Sequence, residues 1–240
     1  MSSRSEKIAH TVARDIVTEV TSDNLAPGTV LSSEAEMMER YEVSRGSLRE
    51  ALRILEVLGF IQIKPGPRGG PVLLAPDSRQ FSAIATLYYQ RIGATYRDLL
   101  EARLFLEPEA AALAARNRTD ADIEELRAYI ENSKAADLDD DRHFRDVGQN
   151  FHNLIAKMGR NEIINLLIRS CYDVFAGRTS GFIYPMPERS HIQSIHEDIA
   201  RAVIAGNERT AKSLMYDHME DYIREATARY SGMLGATVQW

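Results

Sequence analysis

The chain predicts a mainly α protein, with an N-terminal winged helix-turn-helix and a C-terminal all-α helical bundle. Three observations carry this. Residues 31–59 read as two short helices joined by a tight turn, and a hairpin pattern with a cationic tip follows at once. Beyond residue 78 alternating strand patterns vanish, and apolar residues recur at helical spacing. At 240 residues and 44% hydrophobic content the chain can bury a sizeable core and has room for two domains. The expected division is a winged domain over 1–76 and a helical domain over 80–232, with Ala75-Pro76-Asp77-Ser78 as linker.

The elements follow in order. A first helix is expected over Ser5 to Thr21, burying Ile8, Val12, Ile16 and Val20, and Ala26-Pro27-Gly28 is a turn. Ser33 and Glu36 make a capping box for a helix from Glu34 to Tyr41 that buries Met37 and Met38. Val43 is the apolar turn residue, and Ser44 caps the next helix. There Leu48, Leu52 and Leu55 form a core stripe, while Arg45, Arg49 and Arg53 recur every four residues on another face. Ile61-Gln62-Ile63 alternates like a strand, Lys64 to Gly70 is a hairpin tip with two cations, and Val72-Leu73-Leu74 returns.

A helix with leucines on one side and arginines on another suits the major groove of duplex DNA. Arginine donates bidentately to guanine O6 and N7 and also neutralises phosphates. The competing reading is a solvated face paired with Glu42, Glu50 and Glu56. The net charge is −6, and residues 1–76 hold nine Lys/Arg against ten Asp/Glu. DNA affinity then has to come from a local patch, which argues against a non-specific coating protein. The lone Cys171 reads as a buried thiol in a reducing, cytoplasmic setting, and neither a membrane span nor a signal core is expected.

Seven helices are expected in the second domain: Phe81 to Ile92, Thr95 to Asn117, Asp120 to Ala136, Asp139 to Met158, Glu162 to Ala176, Glu188 to Ala205 and Glu208 to Tyr230. Thr119 with Asp122 caps one start, and Gly159-Arg160-Asn161 and Gly206-Asn207 separate neighbours. His152, His196 and His218 each lie on or beside an apolar stripe of a different helix. Three inward imidazoles can bind a divalent metal such as zinc, and each can equally be a satisfied core residue. Arg103 falls on the apolar side of its helix and needs an anion. The candidates are Glu107, one turn on, and the carboxylate or phosphate of a ligand. Residues 177–187 read as a flap or a long loop, with Arg178 as a further ligand contact.

Residues 5–74 resemble the winged-helix domain of GntR-type bacterial transcription regulators. The likeness rests on L-x-S-E at Leu31 to Glu34, V-S-R-x-x-L-R-E-A-L-R-x-L at Val43 to Leu55, and the glycine-rich wing. It implies that Ser44, Arg45, Ser47 and Arg49 face an operator, with Lys64, Arg68 and Gly69 on the wing. Ala35 stands where relatives often carry a base-reading arginine. Residues 80–230 resemble the FCD effector domain of the FadR branch, through R-x-x-L-E at Arg103 to Glu107, Phe151-His152, His196 and His218. Many members place an Asp four residues before the first histidine, and here that position is Gly148. The resemblance therefore implies a three-histidine site at best, completed by water or by the carboxylate of an effector bound near Arg103 and Gly148.

Together these readings predict a homodimeric transcription regulator acting as a repressor. Its partners would be double-stranded operator DNA and a small carboxylate effector. Two alternatives stand beside it. One is a metal-free regulator that answers to acyl-CoA. The other is a three-histidine metalloenzyme tethered by its winged domain, for which Glu197 is the one general-base candidate and points off-face.

Overall fold

Helix α1 (Arg4–Ser22) buries Ala9, Val12, Ala13, Ile16 and Val20. Ile8, expected in that stripe, is 37% exposed, and Ala9 and Ala13 are buried on the first turns in its place. Helix α2 (Glu34–Arg40) and helix α3 (Arg45–Val57) form the helix-turn-helix. The capping box at Ser33 is present, with the Ser33 N–H donating to Glu36 Oε2 at 2.8 Å. Helix α3 buries Leu48, Ala51, Leu52 and Leu55 against α1.

The turn between α2 and α3 has a left-handed residue, Glu42, at φ 53°. The Val43 N–H then reaches back to the Met38 carbonyl at 3.1 Å, and the Val43 side chain joins the core. Helix α3 ends in the same way at Gly59 (φ 72°), with the Phe60 N–H on the Leu55 carbonyl at 2.9 Å. Strands β1 (Ile61–Lys64) and β2 (Gly70–Leu73) pair antiparallel, with Ile61 opposite Leu73 and Lys64 opposite Gly70. A further edge was not expected. The Leu31 N–H donates to the Pro71 carbonyl at 2.8 Å and the Leu73 N–H to the Thr29 carbonyl at 2.9 Å, which places residues 28–31 along β2.

This computed structural model describes residues 4–66, 69–134, 140–176 and 186–240. The chain divides into two units, 1–81 and 82–240, each with its own apolar core. Helix α4 (Ser78–Ile92) carries the chain from the first to the second. It begins inside the expected linker, where the Asp77 carboxylate accepts the Arg79 backbone N–H at 2.9 Å.

The second unit is built from α5 (Tyr96–Asn117), α6 (Asp120–Lys134), α7 (Asp141–Met158), α8 (Glu162–Ala176), α9 (Met186–Ala205) and α10 (Glu208–Leu234). Its main core draws on α5, α6, α7, α9 and α10, including Leu126, Phe151, Ile155, Ile199, Val203 and Met215. The Thr119–Asp122 box opens α6, with the Thr119 N–H on Asp122 Oδ2 at 2.8 Å. At the α7–α8 break the left-handed residue is Arg160 (φ 53°), whose guanidinium is tied to Asp122 at 2.6 Å.

Helix α10 leaves helical geometry at Tyr230, where the sequence pattern ends it, and then resumes to Leu234. The tail folds back on the start of α5. The Val238 N–H donates to the Ala94 carbonyl at 2.8 Å, and Leu234 and Val238 are fully buried. No helix among the described residues is long and apolar enough to cross a membrane.

Candidate functional site

Two constellations carry chemistry, one in each unit. In the first, Ser44 caps α3 and leaves the helix N-terminus, with Arg45, Arg49 and Arg53, exposed to solvent. Helix N-terminal amides and cations together suit a phosphate backbone. Arg49 lies 3.4 Å from Glu34 on α2, and both side chains are well exposed. Its partner is thus on the neighbouring helix, not Glu42, Glu50 or Glu56. Glu56 instead accepts the backbone N–H of Ile63 in β1 at 2.9 Å. An exposed pair of this length contributes little stability, so DNA can displace it.

Ser47 faces inward and is buried, with its hydroxyl 3.2 Å from Ser44 Oγ. On the wing Lys64 is exposed. At Gly69 a Cβ would fall 2.1 Å from the Lys64 carbonyl oxygen, so only glycine closes that hairpin. Arg68, the second wing cation, lies outside the described residues. So does Arg178, together with most of the expected flap.

In the second unit α7, α9 and α10 bring His152, His196 and His218 together, all buried. His218 Nε2 lies 3.1 Å from His196 Nε2 and 3.4 Å from His152 Nε2. The outer nitrogens of two of the rings have partners. His152 Nδ1 bonds Glu107 Oε2, and since an ionised carboxylate only accepts, the hydrogen of this bond sits on Nδ1, while Nε2 faces His218. His196 Nδ1 lies 3.3 Å from the Tyr129 hydroxyl, and Phe151 stacks on the same ring at 4.3 Å.

Burial, then the neighbouring His152, push the His218 imidazole down to about 3. Burial, His218 and His152 lower His196 well below its ordinary range. Both rings are therefore neutral near pH 7 and offer lone pairs. In four-coordinate zinc with Zn–N of about 2.0–2.1 Å, ligand atoms stand roughly 3.3–3.4 Å apart. The observed spacings are of that size, so the cluster fits a metal ion.

Arg103 finds its carboxylate inside the chain. Its Nε donates to Glu107 Oε1 at 2.6 Å, and its guanidinium lies 5.8 Å from the Tyr222 ring centroid. Burial would raise the Glu107 carboxyl, but Arg103 and His152 override it and hold the group well below the usual carboxylate range. Glu107 thus links the guanidinium to the first histidine. The sequence marks Glu107 as a partner for Arg103 and as the end of the R-x-x-L-E motif, but not as a partner of His152, since that contact spans 45 residues. Tyr129 went unnoticed too, because nothing local marks it. Phe151 had a signal in its place directly before His152.

Gly148 lies on α7 beside His196, and a Cβ added there would meet His196 Cε1 at 3.8 Å. It lines a cavity of about 20 Å3 with Tyr129, Ser133, Phe144, Val147, Ile192, Gln193 and His196. Glu197, the base a hydrolase reading would need, is bound to Arg201 at 2.7 Å.

Comparison with known proteins adds to this geometry. The model of the FCD domain matches residues 98–221, and that of the bacterial regulatory proteins of the gntR family matches residues 8–68. The HTH-type transcriptional regulator LutR of Bacillus subtilis is 28% identical over 83% of this chain and 92% of its own length. The HTH-type transcriptional repressor NanR of an Enterobacter species is 32% identical over 66% of this chain and 61% of its own. The Glc operon transcriptional activator of Escherichia coli is 28% identical over 89% and 85%. A solved structure described as Streptococcus agalactiae GntR is similar in fold, with a TM-score of 0.70 at 22% identity, covering 91% of this chain and 100% of its own.

Proposed function

Because this chain belongs to the FCD-domain branch of the gntR family of bacterial regulatory proteins, we propose that it is a repressor relieved by a small carboxylate metabolite bound beside a divalent metal. That it is a DNA-binding transcription regulator, and not an enzyme, follows from the family and from the relatives' descriptions. The finer reading rests on one observation above all. Three buried imidazoles converge their Nε2 atoms, and one of them, His196, also lines a cavity.

His152, His196 and His218 would hold the ion, and the ion would supply a positive centre for an anion. Glu107 fixes the His152 ring, and Arg103 keeps Glu107 ionised. Repression is supported by the description of the 32%-identical relative as a repressor. The cavity beside the cluster is small, about 20 Å3, far below the room that an acyl-CoA thioester needs.

In the winged unit Arg45 and Arg49 would read bases, Ser44, Lys64 and Arg68 would meet phosphates, and Ser47 and Gly69 would act by shaping α3 and the wing. We propose a homodimer, since two-fold operators match two-fold proteins. Effector binding must favour one of two states of the dimer, because equal affinity for both shifts nothing.

The test is a mobility shift with duplexes selected from a random pool at low ionic strength, with elemental analysis of the same sample. We expect duplex retention, a zinc-like metal near one per chain, and release of the duplex by short carboxylates. A sample that retains no duplex would overturn the reading.

A further inference from the structure

We infer that two copies of this chain meet through helix α4, packed antiparallel, one α4 against the other; this rests on the homodimer proposed above. The helix is inside out for a monomer. Its inner side carries small polar residues, with Ser78, Ser82 and Thr86 buried. The Ser82 hydroxyl lies 3.4 Å from both the Ser170 carbonyl oxygen and Asp173 Oδ2 of α8, and Thr86 Oγ1 donates to the Ser82 carbonyl at 2.6 Å. The outer side carries the large apolar residues. Tyr88 is 69% exposed and Ile92 75%, and Phe81 and Leu87 are exposed as well. Removing apolar surface from water drives packing, so the outer side is the one that gains from being covered.

The pattern on that side selects the occupant. Phe81, Ala85, Tyr88 and Ile92 fall on one narrow face of the helix. Their spacings are four, three and four residues, the same read from either end. Turned end for end, a second copy brings its Ile92 onto Phe81 and its bulky Tyr88 onto the small Ala85. The patch therefore complements itself, as a two-fold contact requires. A foreign partner would need no such symmetry. Parallel packing would instead press Tyr88 on Tyr88 and leave a gap between the two copies of Ala85. Between Arg79 and Arg91 the helix carries no charge, and Arg79 is held by Asp77 at 2.8 Å. The centre is thus uncharged and the cations lie at the rim, as in a buried interface. The exposed parts of Phe81, Leu87, Tyr88 and Ile92 offer about 500 Å2 of surface. The flanking Ile84, Ala85 and Arg91 raise this toward the roughly 800 Å2 per partner of a standard interface.

The experiment is sedimentation equilibrium of the full chain without DNA. The unaltered chain should be a dimer. Tyr88→Asp puts a charge at the centre of the contact and should raise the dimer dissociation constant by about a hundredfold or more. Phe105→Asp, at an equally exposed aromatic on α5, should change it by less than about twofold. Circular dichroism confirms that each variant keeps its helices. The order of the helices is read by oxidation in a Cys171→Ala background. The paired substitution Ala85→Cys with Tyr88→Cys should form a covalent dimer on a non-reducing gel about tenfold faster than either substitution alone. An unaltered chain that sediments as a monomer overturns the homodimer and the α4 contact with it. A dimer that survives Tyr88→Asp, or one weakened as much by Phe105→Asp, overturns the α4 contact while leaving the homodimer standing. Single substitutions that cross-link as fast as the pair overturn the antiparallel order.

Discussion

Glu107→Gln tests the buried chain from Arg103 through Glu107 to His152. The substitution keeps the shape and removes the charge. Arg103 is then left as a buried cation with only a neutral amide at its Nε, where it now has a carboxylate at 2.6 Å. Breaking one side of a buried ion pair costs about 3–5 kcal/mol, and the remaining hydrogen bond puts this case near the low end, at about 3 kcal/mol. With a domain stability of roughly 5–15 kcal/mol the variant still folds. The second effect is on the metal. If the amide NH2 faces His152 Nδ1, the ring hydrogen moves to Nε2 and points into the cluster. Zinc affinity should fall about 10- to 100-fold.

Urea unfolding of the stripped chain reads the first effect, and chelator competition reads the second. Adding Arg103→Met should recover about 1–2 kcal/mol of stability, since no charge is then buried alone, but should not restore zinc binding. A stability loss under about 1 kcal/mol together with unchanged zinc affinity would refute the reasoning, because neither the ion pair nor the ring orientation would then matter.

Arg49→Ala should weaken operator binding by about 1–3 kcal/mol, read by mobility shift, while Glu34→Gln should not weaken it, because DNA releases that exposed pair. Glu42→Gly should stabilise the first unit by about 0.5–1 kcal/mol in thermal unfolding, since a left-handed residue at φ 53° suits glycine. The stripped protein should lose stability as pH falls. His218 has a folded value of about 3 against an ordinary 6.5, so its contribution is full above 6.5 and is lost as pH drops from there toward 3. The slope is about 1.4 kcal/mol per pH unit for each lowered histidine, and His218→Asn should flatten the profile of unfolding free energy against pH.

Much of the architecture was legible because it rests on short-range rules. The boxes at Ser33–Glu36 and Thr119–Asp122 close within three residues. The leucines of α3 recur at helical spacing and are buried as that spacing predicts. Errors arose where several local solutions compete. The stripe of α1 passes through Ala9 and Ala13, while Ile8, next to Ala9 in the chain, stays exposed. Residues 28–31 lie along β2 through hydrogen bonds to residues 40 or more positions away, which no local pattern reports.

By itself the amino-acid order determined an exposed arginine face on a leucine-backed helix, a glycine-closed hairpin behind it, and three histidines on the inner sides of three helices. Periodicity and capping act over one turn, so these follow from neighbours in the chain. Only the tertiary structure decided that the three rings meet within hydrogen-bonding distance, that Glu107 joins Arg103 to His152, and that the space at Gly148 opens beside His196. Those outcomes depend on how α5, α7, α9 and α10 pack, and the packing minimises voids and unpaired charge across the whole core at once.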